Sequence, residues 1–591
     1  MAFCVIQMCG IAGVYNLKKQ KVDYSLVAKM VGLLAHRGPD DEGFFIKENI
    51  GLGHRRLSII DLSERGHQPM EREGLVIVYN GEIYNYIELR KELEEKGYVF
   101  SSATDTEVIL FAFKEWGKDC LKKFNGMWAF AIWNKEKKEL FCSRDRYGIK
   151  PFYYYYNDNV FLFASEIKPL LLFKKEPDKK SIYHYLTAEL ADFSENTFFK
   201  DIKQLEPGRY LILKDSTLKI DKYYELGFNR SLGSFSEKKL RQYSETFLGL
   251  LEDSVKLRLR SDVEIGSCLS GGLDSSAIVC LIDKLKKIKQ KTFSFYAEAV
   301  DEREYIQEIV REKDINFFYV SSSAQEFWKD LEKVVFCQEE PFKSSGIYAQ
   351  YKVMKLAKKN NIKVLLDGQG ADELFGYPEQ IGSFLNQSIL HARFPLKFNK
   401  TILSNYLRFF LPKSAVFYLR KKKIKGLNFL NFSFEKEYKY EEGISRFSRI
   451  NYQQALFEGI TKSGLRRLLK YEDRNSMANS IESRLPFLDY RLVDFVFSLP
   501  AVYKIGKLLQ REALKSLIPE KVRTRKDKMG FATPEENWLK ENKENITNLF
   551  KSSDFKSEEY IENKKVLKNI EKINLSELWR FINLELWLRK F

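Results

Sequence analysis

Seven consecutive residues, "SGGLDSS" at 270–276, constrain this chain more than any other stretch. They follow an apolar run, "VEIGSCL", and open a helical pattern, "AIVCLIDKLKK". Strand, Gly-rich turn and helix in that order form the βα unit of a parallel sheet. Gly271 and Gly272 let the backbone approach an anion closely. The helix start adds free N–H groups and the positive end of its dipole, and Ser270, Ser275 and Ser276 add hydroxyls. Asp274 would repel a phosphate unless a cation sat between them, so it reads as a magnesium ligand. The Gly-Lys-Ser/Thr ending of a Walker A loop is absent. One Gly pair alone would mark only a capped turn; the whole heptad after an apolar strand marks a phosphate loop.

The pattern differs on either side of residues 225–239, a polar Gly/Ser-rich stretch that reads as a linker. Residues 8–215 hold short alternating or aromatic strands, as in "GLVIVYNGEIYNY" and "PFYYYYNDNVFLFAS". One helix stands out among them, "TDTEVILFAFKEWG", with Thr104 or Asp105 as its cap and Gly117 as its stop. This half is expected to be an α+β layered domain. From 240 to 591 a helix leads into the phosphate loop, and "KTFSFY", "NFFYV" and "KVLLDG" supply further strands between helices. That alternation predicts an α/β parallel sheet, followed after Phe375 by a mostly helical part.

With 591 residues, 44% of them hydrophobic, the chain needs more than one core. No apolar run reaches the roughly 18 residues of a membrane helix, and the start shows no basic region followed by a long apolar stretch, so a secretory signal is not expected. Seven scattered cysteines without a CxxC predict a reducing, cytoplasmic setting. The net charge of +17 raises a polyanion as partner. Residues 380–434, however, carry ten Lys/Arg and no Asp or Glu. A solvated basic insertion without nucleic acid is the expected reading. The narrower alternative sets its aromatics and cations on an anionic membrane or an acidic partner.

A second turn, "VLLDGQGADELFGY", places Asp372 and Glu373 after a strand. Near the start stand "MCGIAGV" (Met8–Val14), "HRGPDDEG", "GHRRLSIIDLS", "YNGEIYNY" and "SATDTEVIL". In this order they resemble the class II glutamine amidotransferases, whose glutaminase has the N-terminal-nucleophile fold, an α+β sandwich. The later half resembles the ATP pyrophosphatases. Together they resemble glutamine-hydrolysing asparagine synthetases over nearly the whole chain.

The resemblance implies that Cys9 attacks the side-chain amide of glutamine, with its own α-amino group (pKa of about 8) as base. Cys9 must then be the first residue, which a start at Met8 with Met removal would provide; leader cleavage, or an inactive glutaminase fed by free ammonia, are the alternatives. It further implies Asn80 and Gly81 as oxyanion donors, Arg56 on the glutamine carboxylate, and Glu82 and Asp105 on its ammonium. ATP would lie on Ser270, Gly271, Gly272, Asp274, Ser275 and Ser276, with adenine beside Leu269, Phe295 and Gly368. Asp274 and Asp372 would hold Mg2+, and Lys528 would neutralise the transition state of adenylation. Ammonia would cross an internal tunnel to an acyl-adenylate. A homodimer is a further implication.

Two departures matter. Gln369 stands where the family commonly has a Glu proposed to deprotonate ammonia, and an amide cannot do that. The stretch "CQEEPFKSSGIYAQY" (337–351), where the family seats its carboxylate, also differs. Aspartate is therefore the first expectation for the acceptor and a uronic acid of surface-polysaccharide synthesis the second. β-Lactam synthetases share both halves but generally lack the Cys. A regulatory homologue with decayed sites is the non-enzymatic alternative.

Overall fold

The computed structural model describes residues 9–286, 289–297, 301–376, 429–438, 452–462, 464–525 and 533–591. Met8, Lys528 and nearly all of the basic segment 380–434 lie outside them.

The first half stacks two six-stranded antiparallel sheets. One runs in the spatial order Ile202–Gln204, Tyr153–Tyr156, Val160–Ala164, Gly10–Asn16, Ile50–Arg56, Asp41–Lys47. The other runs Thr217–Lys222, Arg209–Lys214, Glu139–Arg144, Gly126–Asn134, Leu75–Ile83, Met70–Arg72. Side-chain alternation explains the layering. In Leu75–Ile83, Val76 and Val78 enter the core between the sheets, while Leu75, Ile77, Tyr79 and Ile83 pack with Val108–Ala112 of a helix. A strand buried on both faces reads as a continuous apolar run, as this one does. Helix Asp105–Trp116 is capped by Thr104, whose side chain accepts from the Glu107 N–H, and Gly117 ends it. Three more helices, Tyr24–Gly32, Tyr86–Glu94 and Lys179–Ala188, were not evident in the sequence. Each has nine or ten residues, too short for a decisive helical period.

Helix Glu237–Arg258 begins the second half, with Ser236 as its cap, so residues 237–239 of the expected linker are helical. A five-stranded sheet follows, parallel throughout, in the order Ile315–Val320, Gln290–Phe295, Ile265–Cys268, Val364–Leu366, Glu482–Arg484. Chain order reverses between Ile265–Cys268 and Val364–Leu366. In open parallel sheets that switch point, outside the carboxyl ends of the strands, is where ligands bind. The loops leaving these two strands are "SGGLDSS" and "DGQGADEL". After Phe375 the described residues are mostly helical, as expected, apart from this fifth strand: its three residues, Glu-Ser-Arg, carry no apolar signal, yet all are buried.

Candidate functional site

Two sites emerge, one in each half. The first surrounds Cys9, just before strand Gly10–Asn16. Its pocket is lined by Cys9, Arg56, Asn80, Gly81, Glu82 and Asp105, among others, and by Glu482 from the other half. All six glutamine-site residues expected from sequence thus face one cavity. The Cys9 Sγ accepts from the Leu57 N–H at 3.4 Å. Burial pushes the thiol up to about 12, against the pull of that backbone contact, so a neutral thiol waits for a base. The Cys9 carbonyl accepts from Arg37 Nε at 3.2 Å.

Asn80 is 1% exposed, and its Nδ2 has no hydrogen-bond partner. A buried amide left unpaired costs stability and calls for an explanation; a donor reserved for a transient oxyanion supplies one. Gly81 passes so close to its neighbour strand that a Cβ there would lie 2.1 Å from the Met127 carbonyl oxygen. Arg56 donates to the carbonyls of Ser63 (2.7 Å) and Asp61, which fixes its fork and leaves further N–H groups free.

The acids carry unmet demand. Asp105 Oδ2 accepts from Tyr79 Oη at 2.8 Å and the Ile83 N–H at 2.9 Å. Burial still pushes Asp105 up to about 6, against both bonds. Burial, and next the nearby Glu482, drive Glu82 well above the usual carboxylate range. Arg484 reaches Glu82 at 3.2 Å and Glu482 at 2.6 Å. Glu82, with one carboxylate oxygen unpartnered, and Asp105 thus offer acceptors that a substrate ammonium would satisfy and whose ionised forms it would favour.

The second site is at the switch point. Ser270 N–H donates to Ser275 Oγ at 3.1 Å, curling the loop. Gly271 takes φ +68, where a side chain would be strained, and a Cβ there would lie 2.9 Å from Tyr305 Cβ. Ser276 Oγ is buried without a partner. Leu269 N–H donates to the Phe293 carbonyl at 2.9 Å, and Phe295 ends the adjacent strand half-buried. Gly368 packs on the loop, a Cβ there being 3.1 Å from Asp274 Cβ. Asp274 and Asp372 are joined by one ammonium: Lys507 Nζ lies 2.7 Å from Asp274 Oδ2 and 2.6 Å from Asp372 Oδ1. Gln510 Nε2 also donates to Asp274, at 2.9 Å. Two carboxylates converging on one cation, on the loops that leave adjacent strands, fit a hard divalent ion.

Sequence reasoning missed Arg37, Glu482, Arg484, Lys507 and Gln510. Arg37 lies within "HRGPDDEG" without its role being legible there, and each of the five is recognised by a partner far away in sequence.

Residues 8–224 match a glutamine amidotransferase domain family and residues 246–589 the asparagine synthase family. Asparagine synthetase [glutamine-hydrolyzing] 1 of Bacillus subtilis is 34% identical over 98% of this chain and 96% of its own length. Asparagine synthetase [glutamine-hydrolyzing] 3 of the same organism is 30% identical over 88% of this chain and 86% of its own. Both halves are matched in the order the two sites require, and the relatives align almost end to end: the chain belongs to the glutamine-hydrolysing asparagine synthetase family.

Proposed function

We propose that this chain is an ATP-dependent ligase that amidates a carboxylate, aspartate first among candidates, with nitrogen drawn from glutamine. Cys9 attacks the glutamine amide and its freed α-amine takes the thiol proton. Asn80 Nδ2 and the Gly81 N–H hold the oxyanion, Arg56 the substrate carboxylate, Glu82 and Asp105 its ammonium. At the switch point, "SGGLDSS" cradles the ATP phosphates while the acceptor carboxylate attacks the α-phosphorus, giving an acyl-adenylate and pyrophosphate. Asp274 and Asp372 would hold Mg2+, which would supply charge neutralisation at the leaving pyrophosphate. Lys507 lies between the same two carboxylates and brings a positive charge to that position. Ammonia from Cys9 completes the amide inside the protein, where water is kept from the adenylate. The six free cysteines among the described residues suit a cytoplasmic enzyme.

The observation that carries this reading is the meeting of Asp274 and Asp372 on one ammonium at the switch point. The test is pyrophosphate release from ATP, Mg2+ and ammonium, with and without aspartate. Ammonium bypasses Cys9, so the result reports on the acceptor alone. Aspartate-dependent release is expected. Release with glucuronate and not with aspartate would keep the ligase chemistry and move the acceptor to the uronic acids, the direction in which Gln369 points. No release with either from folded, ATP-binding protein would overturn the reading.

A further inference from the structure

Gln369 leaves amide formation without an evident proton acceptor, because a carboxamide is not a base at neutral pH. A buried carboxylate stands close by. Glu472, on helix Gly464–Met477, is 2% exposed. It accepts from Ser483 Oγ at 2.5 Å and from Gln350 Nε2. These partners come from different parts of the chemistry. Ser483 is the middle residue of the strand whose Glu482 lines the glutamine pocket and whose Arg484 reaches Glu82. Gln350 lies in helix Gly346–Lys359, at the end of the stretch that departs from the family where the acceptor is seated. A third neighbour is Asp367, whose charge acts on Glu472 and whose N–H donates to the Arg484 carbonyl at 3.0 Å. Asp367 leads directly into Gly368 and Gln369. Glu472 therefore sits where the glutamine side, the acceptor side and the ATP turn meet. The next residue, Asp473, faces the other way and is held by Arg37 at 2.9 and 3.0 Å, the arginine that donates to Cys9. Each Glu472 oxygen has one donor here, so each keeps a lone pair for another.

We propose that Glu472 is a catalytic base of this enzyme, taking the proton from ammonia as it attacks the activated acyl carbon. This rests on the acyl-adenylate reading above. The ammonia lone pair forms the C–N bond. The acyl C–O bond to phosphate breaks, and AMP leaves with its electron pair. One nitrogen proton passes to the Glu472 carboxylate, giving the neutral amide. Burial and the charge of Asp367 raise the affinity of Glu472 for that proton. Of the other acids near the turn, which include Asp367 and Glu373, Asp372 is tied to Lys507.

Three rates separate the steps: ATP–pyrophosphate exchange with aspartate (or glucuronate, if aspartate is inert), glutamine hydrolysis, and amide formation from ammonium. For Glu472→Gln, exchange and hydrolysis should stay within about threefold of the parent, and amide formation should fall about a hundredfold, the usual scale of a general base. Adding Gln369→Glu to that variant should restore at least about tenfold, because a carboxylate returns to the turn. If E472Q does not fold, Glu472→Asp carries the test: the carboxylate retreats by one methylene, and amide formation should drop while exchange holds. Amide formation within threefold of the parent, or exchange lost in parallel with it, overturns the assignment. Absence of exchange in the parent with either carboxylate instead overturns the adenylate reading on which the assignment stands.

Discussion

Asn80→Ala separates folding from chemistry at the first site. In the folded chain Nδ2 is buried and donates to nothing. An unmet buried donor costs about 1–3 kcal/mol, so deleting it relieves a penalty. Removing the small side chain costs packing of about 1 kcal/mol, typical of a modest truncation. These offset, and the midpoint of urea unfolding should move by no more than about 1 kcal/mol in free energy. Catalysis should respond differently. An oxyanion donor contributes about 2.7–4 kcal/mol to the transition state, so glutaminase kcat should fall about a hundred- to a thousandfold. The loss should sit in kcat, because the donor acts only once charge develops. Pyrophosphate release driven by ammonium should be unchanged, since that route never uses Asn80. The assay is glutamate production and ammonium-driven pyrophosphate release on one preparation, with Cys9 as first residue. A fall in glutaminase kcat of less than about fivefold would refute the oxyanion role. Parallel loss of both activities would show that Asn80 supports the fold and not the reaction.

Other residues give equally specific expectations. A chain that keeps residues 1–8 should show ammonium-driven but not glutamine-driven synthesis, and one whose first residue is Cys9 should show both. The Cys9 thiol, pushed up to about 12 by burial, does not ionise unaided near neutral pH, and equal glutaminase rates in the two forms would end the amine-as-base reading. Asp105→Asn should stabilise the protein while weakening glutamine binding. The folded pKa of Asp105, about 6, lies above its unfolded value near 3.8, so the folded state binds more protons between them and the wild type loses stability as pH rises through that window. The stability gap between variant and wild type should therefore widen from pH 4 to 6 and stay flat above, as read by urea titrations at fixed pH. Lys507→Met removes the cation shared by Asp274 and Asp372. Its melting temperature should be lower than wild type without divalent ions and should rise more steeply with added Mg2+; equal Mg2+ responses would exclude a shared cation position. Arg37→Met strips the buried Asp473 of its two-pronged partner and leaves it the longer contact to Arg474 at 3.4 Å; it should destabilise by about 3 kcal/mol, the lower end for breaking a buried ion pair.

Much of both sites was readable because their residues cluster in short stretches with their own geometry. The phosphate loop combines an apolar strand, a Gly pair and a helix start within a dozen residues. Asn80, Gly81 and Glu82 are consecutive at the end of one strand. Thr104 and Gly117 fix both ends of a helix by cap and stop. What stayed hidden is held together at long range. Glu482–Arg484 is a strand because it pairs with Val364–Leu366, more than a hundred residues earlier. Its charges are buried because Arg484 pairs with Glu482, lies 3.2 Å from Glu82, and donates to the carbonyls of Arg258 and Arg260. No periodicity in three polar residues reports this. Lys507 gains its meaning from two aspartates that precede it by more than a hundred residues.

The charges at the junction of the halves bear on why both sites share one chain. Arg37 and Glu166 of the first half meet Asp473 and Arg474 of the second, all nearly inaccessible to water. Lys168 pairs with Glu339 at 3.0 Å, and Lys470 joins Asp192 to Glu340. Apolar side chains of similar volume would hold such a junction at least as firmly, because desolvating ions offsets most of their attraction. Ions do something grease does not: a shift of register leaves a buried charge without its partner, a penalty of several kcal/mol at each position. The junction thus tolerates one alignment of the halves. That alignment carries Glu482 into the pocket at Cys9, Arg37 onto the carbonyl of Cys9, and Asp473 and Glu472 side by side on one helix between the two halves. The proposed passage of ammonia from one half to the other would require such a fixed relation, and the charge pattern of the junction favours it.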